Sequence, residues 1–570
     1  MRYTILLLSV LFLQCSTPKN LVGPKGAVNP YQYTSSKKVV VQNGAVASAH
    51  PLASKVGMEI MRQGGNAFDA AIATQLALAV VYPTAGNIGG GGFLVARRAS
   101  GETVALDYRE TASSLARRDM YLDAAGNVLQ GKSLNGHLAA GVPGTIAGLF
   151  ETAKYGNLPF AKLIQPAIDL AEKGFVLTDR EAGSLNSIQA DLAKYNTVKN
   201  AFQKESPWHG GDTLVQTDLA NTLKRVRDAG AAGFYEGKTA QLVIEEMSRG
   251  AGIITLEDMK NYKAKWREPH IFSYKGYTIV GMPMPSSGGI LLHQMMKMVE
   301  EKPLVTYGFQ SPLAVQLMVE AERRAYADRA EHMGDADFVK VPEKALTDTA
   351  YLNQRMRDYK PGEAGSSQAT RPGKLTHESE ETTHLCVIDA AGNAVSVTTT
   401  LNNSYGSKTV VGGAGFLLND EMDDFSVKPG VPNLYGAVGG EANAIAPGKR
   451  MLSSMTPTIV LKDGKPFLVV GTPGGTTIPT SVYQTILNII DFGLRTEDAV
   501  YKPKFHHQWL PDEIAVEKSF PTDVRTALEK MGYKITERGS IGRVEAIKVL
   551  PNGSFEAVAD NRGDDAAEGW

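Results

Sequence analysis

The sequence predicts an α+β fold, because helix signals and strand signals are concentrated in different parts of the chain. Apolar residues recur at helical spacing through much of the first two thirds, most clearly from about 147 to 267. Short β-branched and apolar runs between turn residues dominate the last third and are typical of strands. With 570 residues, of which 43% are hydrophobic, the chain can enclose a large core.

The first elements are predicted from apolar spacing and from residues that end or begin helices. Gly64-Gly65 fits the end of one helix, and Asn66 fits the N-cap of the next. A later helix carries Glu and Arg residues along one side, and we expect that side to face solvent. The predicted helices cover 52–61, 67–80 and 315–329, and the predicted strands cover 103–108 and 277–280.

The stretch Gly89–Gly92 contains too many glycines for regular secondary structure. It has two interpretations, a cradle for a phosphate group or close backbone packing beside a pocket. No Gly-Lys-Ser or Gly-Lys-Thr ending follows it, and this favours the packing interpretation.

The last third is predicted to contain many strands, and the first two should form a hairpin. An apolar run over 385–388 is followed by turn residues at 389–393 and by a β-branched run over 394–401. Thr382 lies at the head of this hairpin. Further strands are expected over 458–461, 467–470, 514–516 and 546–549.

Thr382 has two interpretations, a strand residue chosen for β-propensity or a nucleophile. An ordinary hydroxyl keeps its proton at neutral pH, so a nucleophilic threonine needs a base. If the preceding peptide bond is cut, the new α-amino group, with an ordinary pKa of roughly 7.7–8.0, can be that base. The polar stretch 360–381 contains Gly and Ser and few apolar residues, which is typical of a mobile connector that tolerates a cut.

Several motifs in a fixed order resemble those of the γ-glutamyltransferases (γ-glutamyltranspeptidases, glutathione hydrolases). This family consists of N-terminal-nucleophile hydrolases that mature by cutting themselves. The resemblance runs from about Val39 to the C-terminus. The motifs are Gly64–Ala71, Gly86–Phe93, Glu381–His384, Thr398–Asn402, Asn419–Ser426, Arg450–Pro457 and Gly471–Gly475.

The resemblance implies a four-layer αββα sandwich, the N-terminal-nucleophile hydrolase fold, formed by two chains after self-cleavage at 381/382. A heavy subunit, 39–381, would pair with a light subunit, 382–570, as a heterodimer. The implied activity is γ-glutamyl acyl transfer and hydrolysis of glutathione and related compounds. Thr382 would form an acyl-enzyme, which water or an acceptor amino acid or peptide resolves. The resemblance implies no cofactor.

The resemblance also assigns site residues, since a γ-glutamyl group ends in one carboxylate and one ammonium. Taken singly, each of these residues could instead serve a surface or turn role. Thr400 would orient the nucleophile, and the backbone of Gly474 and Gly475 would bind the oxyanion. Tyr435, in a segment resembling the family's lid loop, would close the pocket, although an ordinary surface loop is the alternative. The carboxylate would contact Arg109, Ser453 and Ser454, and the ammonium would contact Asn402, Glu421 and Asp424.

Two rival functions remain open at this stage. One is a cephalosporin or glutaryl acylase of the same superfamily, whose substrate lacks the α-amino group. Asn402, Glu421 and Asp424 argue against it, because they would have no ammonium to bind. The other rival is a non-catalytic surface-binding lipoprotein that keeps the scaffold. The intact Thr382, Thr400 and Gly474-Gly475 argue against that.

The cysteines and histidines suggest no further chemistry. Cys386 is either a second nucleophile or a small buried hydrophobe, and its surroundings favour the second interpretation. His506-His507 could suggest a metal, but adjacent strand residues face opposite ways and no third ligand is evident. We therefore assign no metal. A formal net charge of −1 without a basic run argues against nucleic acid as a partner.

The first 15 residues are typical of an export signal, with Arg2 before an apolar run, Ile5–Leu13, that is too short to span a bilayer. The end of this segment resembles a bacterial lipoprotein signal, in which Cys15 would carry a lipid anchor. An ordinary cleaved secretory signal is the alternative. Residues 16–38 are mostly polar and should form a tether. We expect an exported protein, periplasmic or anchored to a membrane.

Overall fold

Two large β-sheets lie face to face in this protein, and helices cover the outer face of each. The computed structural model describes residues 35–370, 382–428 and 440–570. The predicted cut site, the predicted lid residue Tyr435 and the N-terminal signal fall wholly or partly outside these ranges. The four-layer αββα arrangement confirms the fold predicted from the sequence.

The strands are short, as expected for antiparallel sheets in a compact fold. They are β1 (Lys38–Val41), β2 (Gly44–Ser48), β3 (Gly91–Arg97), β4 (Thr103–Asp107), β5 (Phe175–Val176), β6 (Thr213–Leu214), β7 (Lys265–Arg267), β8 (His270–Tyr274), β9 (Tyr277–Gly281), β10 (Thr382–Asp389), β11 (Ala394–Thr400), β12 (Thr458–Lys462), β13 (Lys465–Gly471), β14 (Phe505–His506), β15 (Ile514–Glu517), β16 (Ile535–Arg538), β17 (Glu545–Val549), β18 (Phe555–Val558) and β19 (Ala566–Gly569).

Most helices lie before residue 356, in agreement with the predicted distribution. They are α1 (Pro51–Arg62), α2 (Ala67–Val81), α3 (Thr145–Thr152), α4 (Phe160–Lys173), α5 (Asp179–Ser187), α6 (Gln189–Tyr195), α7 (Thr217–Ala229), α8 (Ala232–Tyr235), α9 (Gly237–Arg249), α10 (Leu256–Asn261), α11 (Gly288–Glu300), α12 (Leu304–Tyr307), α13 (Pro312–His332), α14 (Glu343–Leu346), α15 (Thr349–Arg355), α16 (Thr477–Ile490), α17 (Thr496–Tyr501) and α18 (Thr522–Lys530).

Each large sheet contains strands from both predicted subunits. The first sheet has the order β19-β2-β10-β11-β3-β4-β7, and the second has the order β1-β18-β17-β13-β12-β9-β8. In the first sheet, β10 and β11 of the light subunit lie between β2 and β3 of the heavy subunit. A cut at 381/382 would therefore leave two chains that share both sheets, and separating them would break strand pairing.

Three apolar clusters separate the four layers. Between the sheets, Phe93 and Cys386 of the first sheet pack with Ile459 and Ile547 of the second. The outer face of the first sheet packs against helices that include α1, α2 and α4. The outer face of the second sheet packs against α11, α13 and α16. None of the helices in the described ranges is both long and apolar enough to cross a bilayer.

The alternation of side chains along β10 decides which way Thr382 faces. Leu385 and Val387 belong to the cluster under the helices, whereas Cys386 and Ile388 belong to the cluster between the sheets. Because side chains alternate along a strand, the even-numbered positions share one face. Thr382 is therefore on the side of β10 that faces the second sheet.

The prediction that the charged side of the helix over 315–329 faces solvent is wrong. Glu320, Glu322, Arg323, Arg324 and Asp328 of α13 are each at most 1% exposed. The helix is covered on both sides, and part of its charge is paired inside the protein. Arg324 donates to Glu320, and Gln294 of α11 donates to Asp328 over 2.9 Å.

The prediction for the glycine-rich stretch is corrected in part. Gly91 and Gly92 begin the regular strand β3. The expected close packing is present, since a Cβ on Gly91 would lie 2.5 Å from the carbonyl oxygen of Tyr108. A Cβ on Gly92 would lie 2.5 Å from the carbonyl oxygen of Thr398. The glycines therefore permit strand pairing at a distance that side chains would prevent.

Candidate active site

Thr382 and Thr400 lie opposite each other across the β10–β11 hairpin. They are register partners, and their hydroxyl oxygens are 3.4 Å apart. Both residues are buried. The hairpin was predicted from the sequence, and the register of its two strands places the Thr400 hydroxyl beside the Thr382 hydroxyl. Thr400 is thus placed to contact a nucleophile at position 382.

Arg109 lies just after the end of β4 and is ion-paired with two acidic residues of the predicted site. Its guanidinium donates to Glu421 and to Asp424. It also donates to the backbone carbonyls of Met451 and Leu452, over 3.4 Å in each case. Arg109 and Glu421 are both buried, so the pair is held by charge-assisted hydrogen bonds in a region of low dielectric.

The carboxyl groups around Arg109 have raised pKa values, and burial is the largest cause. Burial raises the pKa of Glu421 well above its ordinary value, although the positive charge of Arg109 acts in the opposite direction. Burial also raises the pKa of Glu110 to about 7. Burial acts to lower the pKa of Arg109, but the nearby carboxylates favour its charged form and the net effect raises its pKa. Burial therefore favours the neutral form of these carboxyls and Arg109 favours their charged form; the ammonium group of a ligand would add to the effect of Arg109.

Asn402 is positioned by hydrogen bonds between two loops. Its backbone N–H donates to the Thr400 hydroxyl over 2.8 Å, and its side-chain amide donates to the carbonyl oxygen of Asp420 over 3.0 Å. The Asp420 carboxylate in turn accepts from the backbone N–H of Asn403. The residue next to Asp420 is Glu421, so the same contacts fix both the amide and the carboxylate that were predicted to bind ammonium.

Ser453 is held by the loop that leads into α11, and Ser454 is held by Arg329 of α13. The carbonyl oxygen of Ser453 accepts from the backbone N–H and the hydroxyl of Ser287, each over 2.8 Å. The hydroxyl oxygen of Ser454 accepts from Arg329 over 3.1 Å. The hydroxyl oxygen of Ser453 accepts from the N–H of Met455. Both serines are buried and held at fixed positions beside Arg109.

Gly474 and Gly475 form the turn between β13 and α16. Their φ angles are +134° and +55°, a region in which only glycine is unstrained. Among the described residues, neither backbone N–H donates a hydrogen bond. The turn also lies at the N-terminus of a 14-residue helix, where the helix dipole favours negative charge. These features suit the binding of an oxyanion.

The structure brings almost all of the predicted site residues to one small cavity of about 20 Å³, roughly the space of one water molecule. Gly474 lines the adjoining larger cavity instead. Tyr435 lies outside the described residues. The roles assigned to these residues stay predictions, but their convergence is a structural finding. The predicted residues that line the small cavity are Arg109, Thr382, Thr400, Asn402, Glu421, Asp424, Ser453, Ser454 and Gly475.

The sequence interpretation missed two residues that organise this site. Asn87, inside the glycine-rich motif, donates to the carbonyl oxygen of Thr400 over 2.8 Å and to the hydroxyl of Thr399. Glu110, directly after Arg109, is fully buried, and both its carboxylate oxygens lack a hydrogen bond within the described part of the chain. A polar amide within an apolar, glycine-rich segment was a usable signal for Asn87. No signal in the sequence indicated the burial of Glu110.

The remaining candidates have ordinary structural surroundings. Cys386 is fully buried, and burial raises the pKa of its thiol, which agrees with the interpretation as a small hydrophobe. Burial lowers the pKa of the neighbouring His384 to about 3, so this imidazole is neutral at physiological pH. His506 and His507 are buried and contact Thr480 and Asp512 respectively. No set of three His, Cys, Asp or Glu residues in the described ranges is arranged to hold a metal ion.

Comparisons with known proteins agree with the motifs and the fold. The sequence profile described as gamma-glutamyltranspeptidase matches residues 53–570. The glutathione hydrolase proenzyme of Escherichia coli (strain K12) is 48% identical over 538 residues, which covers 93% of each chain. This match includes the heavy and the light part of the chain alike.

Solved structures also match. A cephalosporin acylase from Bacillus halodurans has a TM-score of 0.84 at 27% identity and covers 95% of this chain and 98% of its own. A γ-glutamyltranspeptidase chain from Helicobacter pylori has a TM-score of 0.56 at 43% identity and covers 60% of this chain and 97% of its own. On the sequence profile and the 48% identity with a full-length relative, this chain is a member of the γ-glutamyltranspeptidase family.

Proposed function

We propose that this chain is a self-cleaving γ-glutamyltransferase and glutathione hydrolase. The observation that supports the proposal is that Thr382 lines one cavity together with a cation, Arg109, and two acids, Glu421 and Asp424. A γ-glutamyl group presents a carboxylate and an ammonium at one end and an acyl carbon at the other. Arg109 and the two acids would pair with the two charges, and the Thr382 hydroxyl, in the same cavity, would attack the acyl carbon.

The ion pairs of Arg109 explain how the pocket can open for such a ligand. A zwitterion brings a carboxylate for the guanidinium and an ammonium for Glu421 and Asp424. Each internal ion pair is thereby exchanged for a pair with the ligand, so no buried charge is left uncompensated. A ligand with only one of the two charges would leave either Arg109 or the acids Glu421 and Asp424 without an oppositely charged partner.

Maturation begins with the Thr382 hydroxyl attacking the carbonyl carbon of Glu381. The C–N bond breaks, an ester forms, and the freed α-amino group remains on Thr382. Water then hydrolyses the ester, which leaves a new carboxylate on Glu381 and two separate chains that stay paired through the shared sheets. The Thr400 hydroxyl, 3.4 Å away, orients the attacking oxygen.

Catalysis uses the same hydroxyl with the new amine as its base. The amine takes the hydroxyl proton as the oxygen attacks the γ-carbonyl carbon, and the oxyanion is stabilised by the N–H groups of Gly474 and Gly475. The amine returns the proton to the leaving nitrogen when the amide bond breaks. Water or an acceptor amine then attacks the γ-glutamyl ester and regenerates Thr382.

The subunit arrangement is supported by the relatives. The Helicobacter pylori chain covers 60% of this chain, close to the share taken by the predicted heavy subunit, 39–381. The names of two relatives, from Escherichia coli and a Pseudomonas species, contain the word proenzyme, which fits maturation by cleavage. The boundaries at residues 38/39 and 381/382 are part of the proposal.

We also propose that the protein is exported, with Cys15 carrying a lipid anchor. The support is the sequence pattern of residues 1–15 alone. Mass spectrometry of the mature heavy subunit tests this. A diacylglyceryl group on an N-terminal Cys15 is the expected result, and an unmodified N-terminus farther along indicates ordinary secretion.

The structural similarity to a cephalosporin acylase makes an acylase the main alternative. Two matched substrates distinguish this alternative from the proposed activity. γ-Glutamyl-p-nitroanilide and glutaryl-p-nitroanilide differ only in the α-amino group. We expect a kcat/KM for the γ-glutamyl compound that is at least about tenfold higher, since a charge-assisted contact contributes about 1.5–3 kcal/mol. Equal or reversed preference would indicate an acylase. A single uncut band on a denaturing gel, with neither substrate hydrolysed, would indicate a non-catalytic binding protein.

A further inference from the structure

The last residues that the structure describes before the predicted cut are fixed to the protein by hydrogen bonds. The stretch 360–381 was predicted to be a mobile connector, and the described part of it does not fit that prediction. Ser367 and Thr370 are only 2% and 5% exposed. We call residues 362–370 the anchor segment. Its contacts come from both predicted subunits.

Helix α13, in the predicted heavy subunit, holds the start of the anchor segment. The side chain of Gln316 accepts from the N–H of Gly362 over 2.8 Å and donates to the carbonyl oxygen of Glu363 over 2.7 Å. The carboxylate of Glu320 accepts from the N–H of Gly365 over 3.1 Å. These contacts lie within one subunit and fix the segment as far as Gly365.

The loop 507–512 of the predicted light subunit holds the rest of the anchor segment. The indole N–H of Trp509 donates to the carbonyl oxygen of Ser367 over 2.9 Å, and the Ser367 hydroxyl donates to the carbonyl oxygen of Trp509. The same indole N–H donates to the carbonyl oxygen of Thr370 over 2.9 Å. Asp512 accepts from the backbone N–H of Ser367 over 2.8 Å. One loop of the light subunit thus binds the segment at two points, Ser367 and Thr370.

Loop 507–512 is held in shape by its own contacts. Trp509 has a φ of +71°, a region in which a residue other than glycine is strained, so its surroundings must hold it there. Its backbone N–H donates to the imidazole of His507 over 3.0 Å. Burial acts to raise the pKa of the Asp512 carboxyl, but a hydrogen bond with His507 and the charge of Arg323 lower that pKa below its ordinary value. Asp512 is therefore an anionic acceptor for the anchor segment.

The same loop contacts the turn that was predicted to bind the oxyanion. Gln508, next to Trp509, accepts from the hydroxyl of Thr476 over 2.7 Å. Thr476 directly follows Gly475, which lines the small cavity together with Thr382. The loop therefore connects the anchor segment to the surroundings of the reacting hydroxyl.

We propose that loop 507–512 is a docking site for the end of the heavy subunit, and that Trp509 is a positioning residue for self-cleavage. The inference rests on the proposed function, because it concerns how the peptide bond before Thr382 is cut. In that step the Thr382 oxygen forms an ester with Glu381, the C–N bond breaks, and the hydroxyl proton passes to the freed amine. Trp509 acts only through the anchor segment.

The physical reason is the entropy of the chain between its last fixed residue and the cut. Closure of a chain segment between two points becomes less frequent as the segment becomes longer, by about threefold for each doubling of its length. Loss of docking would move the last fixed residue from Thr370 back toward Gly362. The carbonyl carbon of Glu381 would then meet the Thr382 hydroxyl less often, and self-cleavage would become slower.

The rate of self-cleavage in newly made full-length chains tests this proposal. Cell-free translation is stopped, and the uncut band is followed with time on a denaturing gel. Trp509→Phe keeps an aromatic ring and removes the indole N–H, and we expect the rate constant of cleavage to fall roughly two- to threefold. The matched control is Trp208→Phe, since Trp208 is also buried and its indole N–H also donates to a backbone carbonyl, that of Phe202 over 3.0 Å. The control should cleave at the wild-type rate, and an unchanged rate in Trp509→Phe would overturn the proposal.

Two further readouts distinguish positioning from a general loss of stability. Once cut, Trp509→Phe should hydrolyse γ-glutamyl-p-nitroanilide with the kcat and KM of the wild-type enzyme, because docking acts before the cut. A fall in kcat that equals the fall in cleavage rate would overturn the positioning role. Ser367→Ala removes the reciprocal hydrogen bond and should also slow cleavage, and the double variant should be little slower than either single variant. Additive effects would show that the two residues do not act through one contact.

Failure of this inference and failure of the proposed function give different results. If the wild-type chain is never cut, self-cleavage fails and the inference fails with it. If the wild-type chain is cut, and Trp509→Phe and Ser367→Ala are cut equally fast, the docking role alone fails. Hydrogen exchange of the uncut Thr382→Ala chain checks the contact itself. The N–H of Ser367 should exchange faster when Trp509→Phe is added, and equal exchange would overturn the docking role.

Discussion

Arg109 and Glu421 are ion-paired inside the cavity that also contains the hydroxyl of Thr382. They are 312 residues apart in the sequence and belong to different predicted subunits. One was predicted to bind a substrate carboxylate and the other a substrate ammonium. Their pairing shows that the two groups predicted to bind opposite charges of the substrate neutralise each other within the protein.

Replacing Arg109 with Ala should weaken binding of the donor and leave self-cleavage intact. Loss of one charge-assisted contact costs about 1.5–3 kcal/mol, so the KM for γ-glutamyl-p-nitroanilide should rise roughly ten- to a hundredfold. The matched control is Arg118→Ala, since the Arg118 side chain is 53% exposed and pairs with the exposed Glu441. Steady-state kinetics and a denaturing gel measure both effects. Unchanged kinetics would remove Arg109 from the site.

Asn87 should act through Thr400, because its amide donates to the Thr400 carbonyl oxygen. We expect Asn87→Ala to lower kcat about tenfold, with a smaller effect on the KM of the donor. Thr400→Val should lower kcat as well. If both act on one element, the double variant should be little worse than Thr400→Val alone. Independent, additive effects of the two substitutions would show that Asn87 does not position Thr400.

The acid limb of the pH profile should report the α-amino group of Thr382. This amine must be neutral to accept the hydroxyl proton, so kcat/KM should rise with pH as one group loses a proton. Its ordinary pKa is about 7.7–8.0; nearby carboxylates raise it and burial lowers it. The control is a slow substrate whose own amine does not titrate in this range. If the limb disappears when a histidine or carboxylate is replaced in correctly cut enzyme, the base lies elsewhere.

Glu110 should make stability fall as pH rises. Burial raises its pKa to about 7, so the folded state favours the protonated carboxyl. A raised pKa contributes stability that is complete below the ordinary value of about 4.3 and is lost as pH increases through about 7. Glu110→Gln imitates the protonated form, so its thermal midpoint relative to wild type should increase between pH 5 and pH 8.

The control for this measurement is Glu102→Gln, which replaces a carboxylate that is 50% exposed. It should shift the midpoint equally at both pH values. A constant difference between Glu110→Gln and wild type across the range would show that Glu110 does not titrate as the structure indicates.

Local features of the site could be predicted because they depend on residues close together in the sequence. The position of the turn at 389–393 determines that Thr382 faces Thr400. The N-cap role of Asn66 was evident from its place between two apolar periodic segments, and its side chain accepts from Phe68 and Asp69 as expected.

Features that depend on distant segments could not be predicted. The burial of charges on α13 follows from helices and loops on both sides of it, and its sequence pattern alone is that of a surface helix. The strand beginning at Gly91 depends on pairing with Thr400 and on the lack of a side chain, which overrides the usual low strand propensity of glycine. The large cavity beside Thr382 is assembled from both predicted subunits and leaves no motif in the sequence.

Mass spectrometry of the intact purified protein, before and after a short exposure to a γ-glutamyl donor with an acid quench, tests the central claim most directly. We predict two polypeptides, the smaller beginning at Thr382, and a gain of one γ-glutamyl group on the residue at position 382. Thr382→Ala should give one uncut chain that gains no mass. An uncut wild-type chain that still turns over the donor, or a γ-glutamyl group on any other residue, would contradict this account.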